Sequence, residues 1–257
     1  MQPAPFEQHY DLAMAALYTF WVLFALLVLY LHRESKREGY PLVTDRPQIR
    51  VEGFPRMPDP KTYILPHGGT VQAPRPETPR PVAAVQTMPF FGAPYVPTGN
   101  PLVDGVGPAA WADRADVPDL TFDDATPKIV PLRASVAKGW DVPEGDPDPR
   151  GMHVDGGDHV LAGKCVDLWV DRSEAVLRYI EVELEGSARR ILVPSTMMTI
   201  EGARPRVVVQ SMLAKDFANA PGLRNPEQVT LREEDRVSAY FGGGDMYSTR
   251  ARAEPFL

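Results

Sequence analysis

Apolar and polar positions fall along the chain in three distinct regimes. From Leu12 to Leu31 the stretch LAMAALYTFWVLFALLVLYL holds twenty residues without a charge. A helix of that length, at about 1.5 Å per residue, spans about 30 Å, the thickness of a bilayer's hydrocarbon core. A buried core helix would carry a polar stripe, whereas only the hydroxyls of Tyr18, Thr19 and Tyr30 interrupt this run. A signal peptide would begin with basic residues and end at a small-residue cleavage site. Here the first eleven residues carry Glu7 and Asp11 and no Lys or Arg. The run therefore predicts a transmembrane helix over 12–31.

The second regime is proline-rich. Residues 41–101 contain 14 of the 28 prolines, in runs such as GFPRMPDP and PRPETPRPV. Each proline fixes φ and removes a backbone donor, so long helices and central strands are excluded there. A free linker is one reading and an extended strap laid along a partner is the other. The clusters Tyr63-Ile64-Leu65 and Met88-Pro89-Phe90-Phe91 favour the strap, because apolar side chains must leave water somewhere.

Beyond Gly105 short period-two patterns dominate. GKCVDLWVD places Val166, Leu168 and Val170 on one face. LRYIEVELE puts Ile180, Val182 and Leu184 on one side and Glu181, Glu183 and Glu185 on the other. Gly186-Ser187 makes a turn into RRILVP, a hairpin partner. RPRVVVQSM reads as a further strand, and PKIVPLRAS as one broken by Pro131. Thr230 and Glu233 form a capping box that opens a helix through about Phe241, with Gly242-Gly243-Gly244 as its stop. Several short strands and one terminal helix predict a small, partly closed β-barrel.

Charge orients this layout. His32, Arg33, Lys36 and Arg37 follow the span directly, so the positive-inside rule places the C-terminal bulk in the cytoplasm. The net charge of −7 and the absence of a basic block argue against nucleic acid as a partner. The single cysteine, Cys165, cannot form an internal disulfide and reads as a small core residue.

No enzymatic constellation emerges. Ser195 in VPSTMM lacks the glycines of a nucleophile elbow, and the glycines at 242–244 lack the lysine of a phosphate loop. HVDGGDH, from His153 to His159, is the one cluster with metal-ligand residue types, and a surface loop explains it equally well. Carboxylates are the more telling population. Asp171 and Glu174 bracket DRSE at a strand end, and Glu181, Glu183 and Glu185 line the next strand. Such acids are usually solvated. Clustered, they raise one another's pKa and can pass protons near neutral pH.

Several stretches, in order, resemble one family. DLAMAALYTFWVLFALLVLYLHRESKREGYPL, DPKTYILPHGGTV, PTGNPLVDGVGPAAW, GDPDPRGM, VDLWVDRSE, RYIEVEL, FANAPGL and VTLREEDRVSAYFGGGDMY are similar to blocks of the H subunit of the purple-bacterial photosynthetic reaction centre. The resemblance covers nearly the whole chain. It implies a fold of one transmembrane α-helix, a Pro-rich extended segment and a mainly β cytoplasmic domain of the PRC-barrel type with a C-terminal helix. The implied layout is a periplasmic tail at 1–11, a span at 12–31, a strap at 32–104 and a cytoplasmic domain at 105–257.

The same resemblance implies a non-catalytic subunit of the bacterial photosynthetic membrane. It would cap the L and M subunits, shield the quinone sites and support proton transfer to the secondary quinone. Bacteriochlorophyll, bacteriopheophytin, quinones and a non-haem iron would be held by the partner subunits, none by this chain. A cytochrome subunit, the core light-harvesting antenna and membrane lipid are further implied partners. Carried over residue by residue, Asp171 and Glu174 are proton-transfer candidates, with Arg178 their charge partner and Glu233, Glu234 and Asp235 in the same network. One departure stands out. Where some members carry a surface histidine pair, this chain has DLTFDDATPKIVP, with Asp123 and Asp124 and no histidine. The proton entrance then falls to carboxylates, or lies elsewhere, near His153 or His159. A membrane-tethered β-barrel adaptor is the competing reading, and a hydrolase would need a paired-acid cleft that the sequence does not show.

Overall fold

A computed structural model describes residues 11–43, 50–75, 81–90, 92–136, 139–201 and 204–252. The tail before residue 11 and Phe91 of the second apolar cluster lie outside the described residues. The chain divides into two compact units, one running through Arg80 with Phe90–Gly92, the other formed by Pro81–Pro89 and everything from Ala93.

In the first unit, α1 (Leu12–Glu34) begins where the Asp11 carboxylate accepts from the Ala13 N–H at 2.9 Å. It runs one turn beyond the uncharged stretch and ends on His32 and Arg33, cations that suit the negative end of the helix dipole. No α1 residue is buried, so every side faces outward, as expected of a segment long and apolar enough to cross a membrane. Two ribbons follow: β1 (Leu42–Val43) with β2 (Arg50–Val51), and β3 (Lys61–Ile64) with β4 (Thr70–Ala73). The end of α1 fastens them. Arg37 bonds the Glu34 carboxylate and donates to the carbonyls of Asp59 and Ala73 at 2.7 and 2.8 Å, while Lys61 meets Glu34 at 2.6 Å. Lys36 is buried and donates to the carbonyls of Glu52 and Pro55. Among the described residues none buries the β3–β4 ribbon: every β3 residue is exposed, Ile64 to 85%.

The second unit opens with the ribbon β5 (Ala84–Gln86) and β6 (Tyr95–Pro97), then the short helix α2 (Pro101–Asp104) capped by Asn100. Its body is a seven-stranded sheet built from β7 (Ile129–Pro131), β8 (His153–Gly156), β9 (Leu161–Asp171), β10 (Val176–Leu184), β11 (Arg190–Pro194), β12 (Met198–Glu201) and β13 (Arg206–Val209). The order is β11-β10-β9-β8-β13-β12, with β7 also paired to β9, and only β8 and β13 run parallel. The two end strands, β11 and β12, are consecutive in the chain and joined by Ser195–Met197 alone. A link that short reaches about 14 Å at most, so the sheet must curl until its ends approach. This is the partly closed barrel that the short strands predict. Its core includes Val154, Cys165, Leu168, Ile180, Val182, Val193, Val207 and Phe217.

Two sequence expectations are corrected. HVDG is no loop but strand β8, held by β9 on one side and β13 on the other. The terminal helix does not stop at the glycines. It continues as α3 (Leu231–Tyr247), buried through Val237, Tyr240 and Phe241, with the capping box formed as expected. The glycines serve close packing instead. A β-carbon at Gly243 would lie 2.6 Å from the Ala109 side chain, and one at Gly244 would collide with Ser211 and Met212. Gly242 has open space by comparison, its nearest neighbour being Met197 at 3.8 Å.

Candidate functional site

The site grows from one face of β9. Asp167, Trp169 and Asp171 alternate onto that face, and the register sets Tyr179 opposite Trp169 and Glu181 opposite Asp167. One extra residue, Arg178, is inserted on β10 between the pairs Leu177–Val170 and Tyr179–Trp169. The bulge brings Arg178 and Tyr179 toward the same side, where strict alternation would separate them. Acids of this kind usually lie in solvent, yet Asp167, Asp171 and Glu181 are all buried.

Asp171 is the deepest, 0% exposed. Its Oδ1 accepts the N–H groups of Ser173 and Glu174 at 2.9 and 3.1 Å, which closes the turn out of β9. Among the described residues its Oδ2 accepts no hydrogen bond, and it faces two cations, Arg178 Nε at 3.4 Å and Lys128 Nζ at 3.8 Å. Both cations also touch Glu174, which is half exposed: Lys128 at 3.7 Å and Arg178 at 3.6 Å. Lys128 further meets Asp119 at 3.7 Å. The structure thus brings Asp171, Glu174 and Arg178 together, as the sequence suggested, and adds Lys128 and Asp119. Three carboxylates against two cations leave one negative charge in excess.

Of the other three candidates, one joins this group. Tyr179 donates its hydroxyl to Glu234 at 3.2 Å, and Glu234 lies in the field of Arg178 and Asp119. Burial pushes the Glu234 carboxyl above the usual range against the pull of Tyr179 and Arg178. Burial likewise raises the Tyr179 phenol, with Glu234 adding to the effect. Glu233 is instead the capping residue of α3, taken up by the N–H groups of Thr230 and Arg224 at 2.9 and 2.8 Å. Asp235 anchors the preceding segment by accepting from the Ala112 N–H at 2.6 Å. Those two belong to the helix start rather than to the cluster around Asp171.

A second buried group escaped the sequence. Arg133 Nη1 reaches Asp167 and Glu181, each at 2.7 Å, and its Nη2 reaches Glu227 at 3.1 Å. Trp169 adds its indole N–H to Glu181 at 3.1 Å, and Arg190 approaches the same carboxylate at 3.3 Å. Of its members the sequence offered only Glu181, in the row of acids with Glu183 and Glu185; Arg133 lies more than thirty residues before Asp167. Every buried oxygen here faces a donor, so the group reads as a clasp between strands.

The possible entrances differ in character. Asp124 accepts from the hydroxyls of Thr121 and Thr126 and from the Thr126 N–H, and those bonds hold its carboxyl well below the usual range. A carboxylate so engaged is a poor proton acceptor. Asp123 is exposed, as are His153 and His159. His159 Nδ1 lies 3.4 Å from Arg206, which pairs with buried Asp155 at 2.9 Å and Glu201 at 2.7 Å. Among the described residues no three His, Cys, Asp or Glu side chains come together as a metal-binding group. Cys165 is buried, and desolvation pushes its thiol up to about 12.

A family model described as photosynthetic reaction centre, H-chain N-terminal region, matches residues 4–134, just over half of the 257.

Proposed function

The chain belongs to the photosynthetic reaction-centre H-chain family, and from that premise we propose that it caps the L and M subunits on the cytoplasmic side, shields their quinone sites from water and carries protons toward the secondary quinone. As a reaction-centre H chain with one helix of spanning length, it is a single-pass membrane subunit that associates with L and M. The basic residues after the span support the cytoplasmic orientation. The helix offers no histidine between Leu12 and Leu31 to ligate a pigment, which supports placing bacteriochlorophyll, bacteriopheophytin and the non-haem iron in the partners. A cytochrome subunit and the antenna ring are proposed as further neighbours.

The observation that carries the proton role is the free Oδ2 of Asp171, buried behind Lys128 and Arg178 and followed outward by half-exposed Glu174. Glu174 meets water and takes the proton at its carboxylate. Lys128 touches both Glu174 and Asp171 and can pass a proton between them with little movement. Asp171 then holds it at Oδ2, out of solvent, with Arg178 and Lys128 setting how tightly. The quinone, bound in the partner subunits, supplies the chemistry by taking up two electrons and two protons. Glu234, favoured in its neutral form by burial, is a second holding place beside Arg178.

Replacing both acids, Asp171→Asn with Glu174→Gln, should slow flash-induced proton uptake by about tenfold or more while primary charge separation keeps its rate. Uptake at the parental rate in an intact complex would remove these residues from the path.

A further inference from the structure

We infer that Asp119 is a positioning residue for the proton path: it draws the Lys128 ammonium away from Asp171 and so keeps Asp171 Oδ2 open to a proton. This inference rests on the proposed role of Asp171 and Glu174 in proton uptake.

Backbone bonds tie Lys128 to two separate segments. Its N–H donates to the Asp119 carbonyl at 2.8 Å, across the loop that the Leu120–Pro127 bridge closes. Its carbonyl accepts from the Arg172 N–H at 3.0 Å, and the next residue, Ile129, stands opposite Asp171 in the β7–β9 ladder. The Arg172 guanidinium adds bonds to the Thr126 hydroxyl and the Pro127 carbonyl. The root of the lysine side chain is therefore fixed between the segment that carries Asp119 and the strand end that carries Asp171. Only its ammonium end has a choice of partner.

Three carboxylates compete for it at nearly equal distances: Asp119 at 3.7 Å, Glu174 at 3.7 Å and Asp171 at 3.8 Å. None of these contacts is a hydrogen bond, since an ammonium that closes on a carboxylate settles at about 2.7–2.9 Å. Asp171 ought to win, because its side chain is wholly buried and attraction is screened least there, whereas Asp119 and Glu174 are 47% and 55% exposed. A counter-pull is needed to hold the lysine short of it. Glu174 cannot supply that pull from elsewhere, because it lies on the same turn as Asp171 and donates its own N–H to Asp171 Oδ1. Asp119 can. Its Oδ1 accepts from the Leu120 N–H at 3.0 Å, and its Oδ2 is the atom that meets Lys128.

Without the Asp119 charge the ammonium should close on Asp171 Oδ2. A donated hydrogen bond and a nearer cation both favour the charged carboxylate, so Asp171 would take up a proton less readily. The other titratable groups packed around the site are Arg178 and Tyr179 on β10 and Glu234 on α3. Asp119 also acts on Glu234 through space, so the lysine route calls for its own control.

The test is flash-induced proton uptake, measured against pH in the intact pigmented complex. Asp119→Asn keeps an oxygen for the Leu120 N–H and loses the charge. The limb on which uptake falls with rising pH should move down by about one pH unit, which on that limb slows uptake by about tenfold. Asp119→Glu should restore the parental profile. In a Lys128→Met background, Asp119→Asn should shift nothing further. An unshifted profile for Asp119→Asn, or a shift that persists without the lysine, would overturn the inference. The pair Asp171→Asn with Glu174→Gln is measured alongside. Parental uptake in that pair sinks the proton-path reading and this inference with it, whereas a slow pair beside a parental Asp119→Asn sinks the positioning role alone.

Discussion

Two antiparallel strand pairs in this chain have the same ladder and opposite fates. β3 and β4 pair over four residues and bury none of them: Ile64 is 85% exposed, and Tyr63 and Val71 are partly open to solvent. β9 and β10 pair over a longer stretch, with core on one side and Trp169, Tyr179 and buried acids on the other. Backbone hydrogen bonds are alike in both, so they cannot explain the difference. Cover does. A lone two-stranded ribbon is marginal in water, while a strand pair with layers on both sides can bury apolar groups and even charges. The ribbon is fastened by Arg37 and Lys61 to the end of α1, which holds its position but leaves its apolar side chains open. Those side chains suit a subunit whose surface is completed by partners.

The sharpest way to break this contrast is to mutate each pair equivalently. Trp169→Ala should cost about 3–5 kcal/mol in the chain alone, because a fully buried ring leaves a cavity and strips Glu181 of a donor. Ile64→Asp should leave the isolated chain within about 0.5 kcal/mol of the parent yet weaken its hold on L and M. Urea unfolding and co-purification read the two effects separately. An Ile64 variant that unfolds the free chain would show that the ribbon is covered from within.

A smaller effect separates close packing from helix breaking at the glycines of α3. Gly243→Ala should destabilise by about 1–3 kcal/mol, since its methyl meets Ala109. Gly242→Ala, with room around it, should gain up to about 1 kcal/mol from helix propensity. Equal responses at the two positions would leave the packing explanation without support.

The smallest effect is in pH dependence. Glu234 has a raised folded-state pKa, so its contribution to stability is present below the unfolded pKa and is lost as pH rises through the folded one. Asp124 has a lowered one, so its contribution is present above the unfolded pKa and is lost as pH falls through the folded one. Glu234→Gln should therefore flatten the decline in stability as pH rises above the usual carboxylate range, and Asp124→Asn should flatten the acid limb below it. Urea midpoints on both sides of that range check both signs.

How much of this was legible depended on sequence distance. The span was, because a charge-free run of twenty residues has few other physical solutions. The β10–β11 hairpin and the Thr230–Glu233 cap were too, since their partners lie within a few residues. Gly243 was misread because a glycine marks a helix end and a close approach alike, and only Ala109, far back in the chain, tells which. Strand β8 looked like a loop because its partner β13 lies about fifty residues on and Arg206 neutralises Asp155 from there. For the same reason the Asp171–Glu174–Arg178 grouping was visible in one turn, whereas Lys128, Arg133 and the burial of Asp167 and Glu181 were not.

The division between a self-sufficient sheet and a partner-dependent strap is tested most directly by hydrogen exchange, on the chain alone in detergent and on the intact pigmented complex. The account predicts slow exchange across β9 and β10 in both samples, and exchange across residues 61–73 that is fast in the free chain and slow in the complex. Equal exchange of residues 61–73 in the two samples would contradict it.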